Sequence, residues 1–294
     1  MNNSSWAWAG AWWSVVVVIG IINLSIGIYL FMKSRKVDDE QNKSYLRKMR
    51  IAGIIFLLVA MYRAVFVSRY LTQLAWFDTI LNSSLLIRTF AMAAEISFAY
   101  LISRALLQVN KEILSEPFKN KVKDFFRTKA PHIFFYLLVI AQPFAYGGTI
   151  NKIRVLFAIE ETFWGLAFMV VTPLIIMQFK KVFEIKENIN EYKYIKAFII
   201  VVALFCIGYG SYSVFYHLPI EYWPSAIEQL NMDVPVPEIR FGFDAIKDAF
   251  IVVNKNHNYA DWGGLGFVIW HTGYFTLCGW MTLLFMGGPR KLKM

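Results

Sequence analysis

Glu160 and Glu161 stand side by side in an apolar run, Val155 to Met177, that has the length of a membrane-spanning helix. A charge at the bilayer centre costs roughly 3 kcal/mol on insertion scales, so such groups face a bundle interior or an aqueous cavity and find partners there. Arg63, Arg88 and His271 fall inside other apolar runs and are the partners on offer. Carboxylates and an imidazole can exchange protons, and a guanidinium can clamp an anion. Glu160, Glu161 and His271 are therefore the candidate catalytic groups. Arg63 and Arg88 head the candidate substrate-binding set. Glu95, seven residues after Arg88, shares its helix face about 10 Å deeper and extends a polar stripe. Trp164, one turn after Glu160, can wall the same site. Tyr209, Tyr212 and Tyr274 can add hydroxyls.

Adjacent helical residues point about 100° apart. Glu160 and Glu161 cannot both aim at one point, so one is expected to face the bundle centre and the other a neighbouring helix. The sharpest expectation is that one of them lies within salt-bridge reach of Arg63 or Arg88. Leaving four charges at one depth unpaired is energetically unfavourable.

The elements that must position these groups are apolar. The chain has 294 residues, 57% hydrophobic and only 17% charged, against about a quarter charged in a soluble domain. Seven segments approach the roughly 20 residues that cross a bilayer: Trp13–Met32, Ile51–Tyr70, Thr79–Leu107, His132–Gly147, Val155–Phe179, Ala197–Tyr216 and Leu265–Gly287. The fourth is the shortest. The expectation is an all-α, seven-helix integral membrane protein, one domain over 1–294, of the cytoplasmic or inner membrane type.

The net charge of +10 follows the same plan. Basic residues cluster between segments one and two (Lys33, Arg35, Lys36, Lys43, Arg47, Lys48, Arg50), three and four (Lys111 to Lys129) and five and six (Lys180 to Lys196). Arg290, Lys291 and Lys293 follow the last segment. This positive-inside pattern predicts an outer N-terminus and a cytoplasmic C-terminus. It accounts for the charge without nucleic acid, for which no motif is present. The first twelve residues lack Lys and Arg, unlike a signal peptide. Trp6, Trp8, Trp12 and Trp13 suit an outer interface. Cys206 and Cys278 lie inside segments and read as packing residues.

The segment His217–Gly264 is expected to form an outer loop or lid. Pro219, Pro224, Pro235 and Pro237 interrupt it. Within it, Ile239, Phe241, Phe243, Ile246, Phe250 and Val253 fall partly on one face of a helical stretch, with Asp244, Lys247 and Asp248 opposite. Asp78, with Asn82, Ser83 and Ser84, is expected to cap the start of the third helix, and Lys111–Lys129 to lie along the inner leaflet.

No metal motif is present. His217, His257 and His271 are the one trio that the topology places on a single side. No cofactor is assigned. The seven-span plan is similar to the topology of rhodopsins, but a retinal Schiff base needs a lysine in the last span, and Lys291 and Lys293 lie beyond it. Three function classes remain. One is an enzyme or binding protein for a membrane lipid or small amphipathic molecule. Another is a proton or ion pathway through the carboxylates. The third is a non-catalytic subunit, with a membrane-protein partner or a second copy of the chain.

Overall fold

The computed structural model describes residues 3–33, 40–184, 190–231 and 239–288. Its elements, in order, are α1 (Asn3–Lys33), α2 (Glu40–Val65), β1 (Ser68–Arg69), β2 (Leu74–Ala75), a 3-10 turn (Ile80–Asn82), α3 (Ser84–Ile113), α4 (Lys121–Asn151), α5 (Arg154–Glu184) and α6 (Asn190–Tyr212). A π-helical segment (Ser213–Tyr222) follows, then α7 (Trp223–Leu230), α8 (Gly242–Ile251), β3 (Asn254–Lys255), α9 (Gly264–Gly273), a second π-helical segment (Tyr274–Cys278) and α10 (Gly279–Gly287). Arg35, Lys36, Lys186, Pro235, Pro237, Arg290, Lys291 and Lys293, which entered the sequence reading, lie outside the described residues, as do the side chains of Trp6 and Trp8.

Five helical runs are long and apolar enough to cross a membrane: Ala9–Lys33, Ser84–Ile113, Lys121–Asn151, Arg154–Glu184 and Lys193–Leu230. The all-α membrane character is thus plain in the fold. α4 is a 31-residue helix, although its sequence gave the shortest apolar segment. Lys121–Lys129 forms its first turns and is not a separate surface helix. Pro131 and Pro143 stand within it.

Consecutive long helices pack against one another, and α10 packs on α1, α2 and α3. Their shared core includes Phe56, Phe98, Phe134, Phe168, Phe198 and Phe285. The end of one helix therefore lies beside the start of the next. This brings Arg63, Arg88, Gln142 and Glu160 to one end of the bundle.

A small cap covers that end. β1 pairs antiparallel with β2, and β2 pairs parallel with β3, so the chain after α2 is tied to the chain before α9. Trp76 and Trp262 are buried beneath it with Val67 and Leu74. Asp248 of α8 is the centre of its polar contacts. It accepts from Lys152 Nζ at 3.2 Å, Arg240 Nη1 at 3.2 Å and Gln73 Nε2 at 2.9 Å. Lys152 and Gln73 both adopt left-handed backbone, φ 57° and 51°.

α8 buries its small residues and one carboxylate and exposes its large apolar side chains. Ala245, Asp248 and Ala249 are buried, while Phe243, Ile246, Phe250 and Ile251 are exposed. Three ionic or hydrogen-bonded partners compensate the buried carboxylate, and its helix consequently presents its large apolar side chains outward. Of the residues expected to cap α3, one does so. Ser83, whose Oγ accepts from Leu86 N, holds that position, and Asp78 does not.

Candidate functional site

Arg88 sits one turn into α3, and its guanidinium extends along the helix to Glu95. The two form a bidentate pair, Nη1–Oε1 3.2 Å and Nη2–Oε2 2.9 Å. Such paired bonds fix both planes and are the strong form of the interaction. Nη2 also donates to Gln142 Oε1 of α4 at 2.5 Å. Gln142 is oriented by its own amide, which donates to the Leu138 carbonyl at 3.1 Å. Glu160 Oε1 of α5 lies 3.6 Å from the same Nη2. Three consecutive helices thus converge on one buried guanidinium, and the sequence-derived pairing of Glu160 or Glu161 with Arg63 or Arg88 is present as Arg88–Glu160.

Glu161 points elsewhere, as the helical turn requires. Tyr222, at the end of the first π-helical segment, lies beside it, and its Oε2 is buried with no hydrogen-bond partner. α5 and this segment approach closely at Gly165, where a Cβ would stand 3.1 Å from Val214 and 3.3 Å from Ser213 Oγ. The missing side chain lets Tyr222 come alongside Glu161.

Arg63 is buried at the end of α2. Its guanidinium carbon lies 4.7 Å over the Tyr274 ring, a cation–π contact. It makes no ion pair among the described residues, and its Nε has no hydrogen-bond partner. Tyr70, from the turn between β1 and β2, reaches down from the cap and places its ring 5.9 Å from the Arg88 guanidinium carbon. The hydroxyls of Tyr70 and Tyr274 are both buried and unpartnered.

Tyr222 ends one π-helical segment and Tyr274 begins the other. Such segments shift the hydrogen-bond ladder by one residue and recur at functional sites. The second shift is matched by Asn23 of α1, whose Nδ2 donates to the Phe275 carbonyl at 3.1 Å. Gly279 leaves room for that amide, since a Cβ there would stand 2.6 Å from it.

His271 neighbours Arg63 and lies in an aromatic cage. Phe267 stacks on it at 4.8 Å, Phe275 meets it edge-on at 4.7 Å, and Trp12 lies 5.6 Å away. Neither of its ring nitrogens has a hydrogen-bond partner. Trp164 stacks with Phe168 in the bundle core. Tyr209 stacks on Phe205 and lies in the field of Glu161. Tyr212 is 42% exposed, stacked on Tyr216. Three contributors went unseen in the sequence: Tyr70, Gln142 and Tyr222. Gln142 alone left a readable trace, a carboxamide beside Pro143 in an apolar run.

No group of three or more His, Cys, Asp or Glu among the described residues could hold a metal. His217 pairs with Glu221 at 2.6 Å, and His257 meets Trp76 edge-on at 4.7 Å. His271 is walled by Trp12. The surface depressions of about 560 and 300 Å³ lie at the other end of α2, around Lys48 and Ile51, away from this cluster.

Comparison with protein-family models, curated proteins and solved structures returns no match to this chain.

Proposed function

We propose that this chain is a membrane-embedded enzyme or binding protein whose buried cluster handles the polar part of a lipid or small amphipathic molecule. The observation that carries this reading is Glu161. Arg88 already serves Glu95, Gln142 and Glu160, whereas one oxygen of Glu161 is buried and unengaged. A carboxylate held in place with a free oxygen is equipped to accept a proton or a donor from a substrate. Glu160, Glu95 and Arg88 form the frame that fixes α5 beside it. Tyr209 and Tyr222 line the approach, and His271 and Tyr274 lie on the Arg63 side.

The outward apolar face of α8 supports a lipid-facing cap. In this reading the capped end is the outer side. α2 and the run α9–α10 complete seven spans with the N-terminus outside and the C-terminus inside. α2 carries Lys48, Arg50 and Arg63, and α9–α10 is diluted by Gly, Thr, Trp and His, yet both pack within the bundle. The test is a lipid profile of cells lacking the protein, with rescue by wild type and by Glu161→Gln. A specific lipid change rescued only by wild type supports the reading, and an unchanged profile counts against it.

A second reading has its own observation. Tyr222 touches Glu161 and lies 4.6 Å edge-on to His217, which pairs with the half-exposed Glu221. This is a file of exchangeable groups from surface to cluster, suited to a proton path. Proton flux into proteoliposomes that disappears in Glu161→Gln would favour it over lipid chemistry.

A further inference from the structure

We infer that Arg63, with the hydroxyls of Tyr70 and Tyr274, binds an oxyanion, a carboxylate or a phosphate, carried by the ligand of this cluster. The inference rests on the proposed binding role and names the chemistry of the ligand's charged group.

The two buried arginines are not equivalent. Arg88 has its charge matched by a bidentate carboxylate and a second carboxylate and also donates to a carboxamide, although its Nε, like that of Arg63, has no hydrogen-bond partner. Arg63 is 4% exposed and has no carboxylate in ion-pair range among the described residues. Glu95 lies within its field, but both Glu95 oxygens are taken by Arg88. A buried cation without a counter-charge is strongly unfavourable, and the cation–π contact with Tyr274 offsets only part of that.

The neighbouring polar atoms are of one kind. The Tyr70 and Tyr274 hydroxyls are buried, belong to rings in cation–π range of Arg88 and Arg63 respectively, and have no hydrogen-bond partner among the described residues. Phenol O–H groups and a guanidinium N–H can all donate to one acceptor. A fixed positive charge with unpartnered O–H donors in its neighbourhood selects an oxyanion over a neutral or cationic group. Tyr70 comes from the cap, so the oxyanion is held at the boundary between cap and bundle. The aromatic side chains around His271 border the same place and offer apolar walls.

The experiment uses the full chain in nanodiscs of neutral lipid, with binding read by calorimetry and by thermal stabilisation. The probes are inorganic phosphate, decanoate, dioctanoyl phosphatidic acid and neutral dioctanoylglycerol. The expected result is that an anionic probe binds wild type. Arg63→Gln should weaken it by roughly tenfold or more, the usual worth of a charged hydrogen bond. The double change Tyr70→Phe with Tyr274→Phe keeps the charge and should weaken it by roughly three- to tenfold. It decides the matter if Arg63→Gln does not fold. Binding of phosphate alone identifies a soluble oxyanion as sufficient, and binding only of decanoate or phosphatidic acid identifies an amphiphile. Dioctanoylglycerol binding as tightly as phosphatidic acid, or anion binding unchanged in both variants, overturns the oxyanion site while leaving the proposed function standing. Binding of no probe at all overturns both.

Discussion

Arg88 and Glu95, seven residues apart on one face of α3, meet through paired bonds of 3.2 and 2.9 Å. The pair lies along the helix and leaves one edge of the guanidinium for α4 and α5. Glu95→Gln should therefore loosen the junction of three helices. Truncating one partner of a buried pair typically costs about 3–5 kcal/mol. The low end is expected because Glu160 remains. A double-mutant cycle with Arg88→Met, read by thermal unfolding, should return a coupling above 1 kcal/mol, on the order expected for groups in contact. Additive losses would show the pair to be idle.

Glu160 and Glu161 should separate cleanly. Glu160→Gln removes an ion-pair partner of Arg88 and should lower thermal stability. Glu161→Gln removes no ion pair and should leave unfolding within about 1 kcal/mol of wild type while abolishing lipid rescue or probe turnover. Equal destabilisation by the two changes, with activity tracking folded protein, would mark both as structural.

The cap depends on Asp248. Asp248→Asn weakens contacts to Lys152 and Arg240 and should cost the cap roughly 2–3 kcal/mol. Hydrogen exchange should speed up at Asn254 and Asn256, whose amides donate to the Gln73 and Ala75 carbonyls, with no change in α3 or α5.

His257, in the cap, should make that region pH-sensitive. Burial holds its imidazole below the usual value, with Lys255 acting in the same direction and a backbone hydrogen bond at Trp76 opposing. The folded cap favours the neutral ring, so its contribution is complete above the unfolded value of about 6.5. It is lost as pH falls from there towards the lowered folded value. Cap stability followed by exchange between pH 7.5 and 5 should decline in wild type and flatten in His257→Phe.

Topology is open to labelling. A cysteine replacing Asp244 on α8 should react with an impermeant reagent added outside intact cells, and one replacing Lys181 at the far end of α5 should not. The reverse pattern would invert the proposed orientation.

Long apolar runs sufficed to announce a helical membrane protein, because backbone groups in lipid must be satisfied within the segment itself. The cost of buried charge was equally legible: it singled out Glu160 and Glu161 with Arg63 and Arg88 and required a pairing, which is present as Arg88–Glu160, while Arg63 and Glu161 form no ion pair among the described residues. Tertiary packing decided the rest. Helical periodicity separated apolar from charged positions around α8 without saying which side is buried, and the partners Lys152, Arg240 and Gln73 allow the Asp248 side to be the buried one. Local capping preference offered Asp78 with Asn82, Ser83 and Ser84, and the 3-10 turn over Ile80–Asn82 leaves Ser83 as the residue that caps α3. Tyr70, Gln142 and Tyr222 join the cluster from three separate elements, and no local pattern encodes that convergence. The two π-helical segments decide it in part, since a one-residue shift of the ladder redirects every side chain that follows, and here it sets Tyr222 beside Glu161 and Tyr274 beneath Arg63.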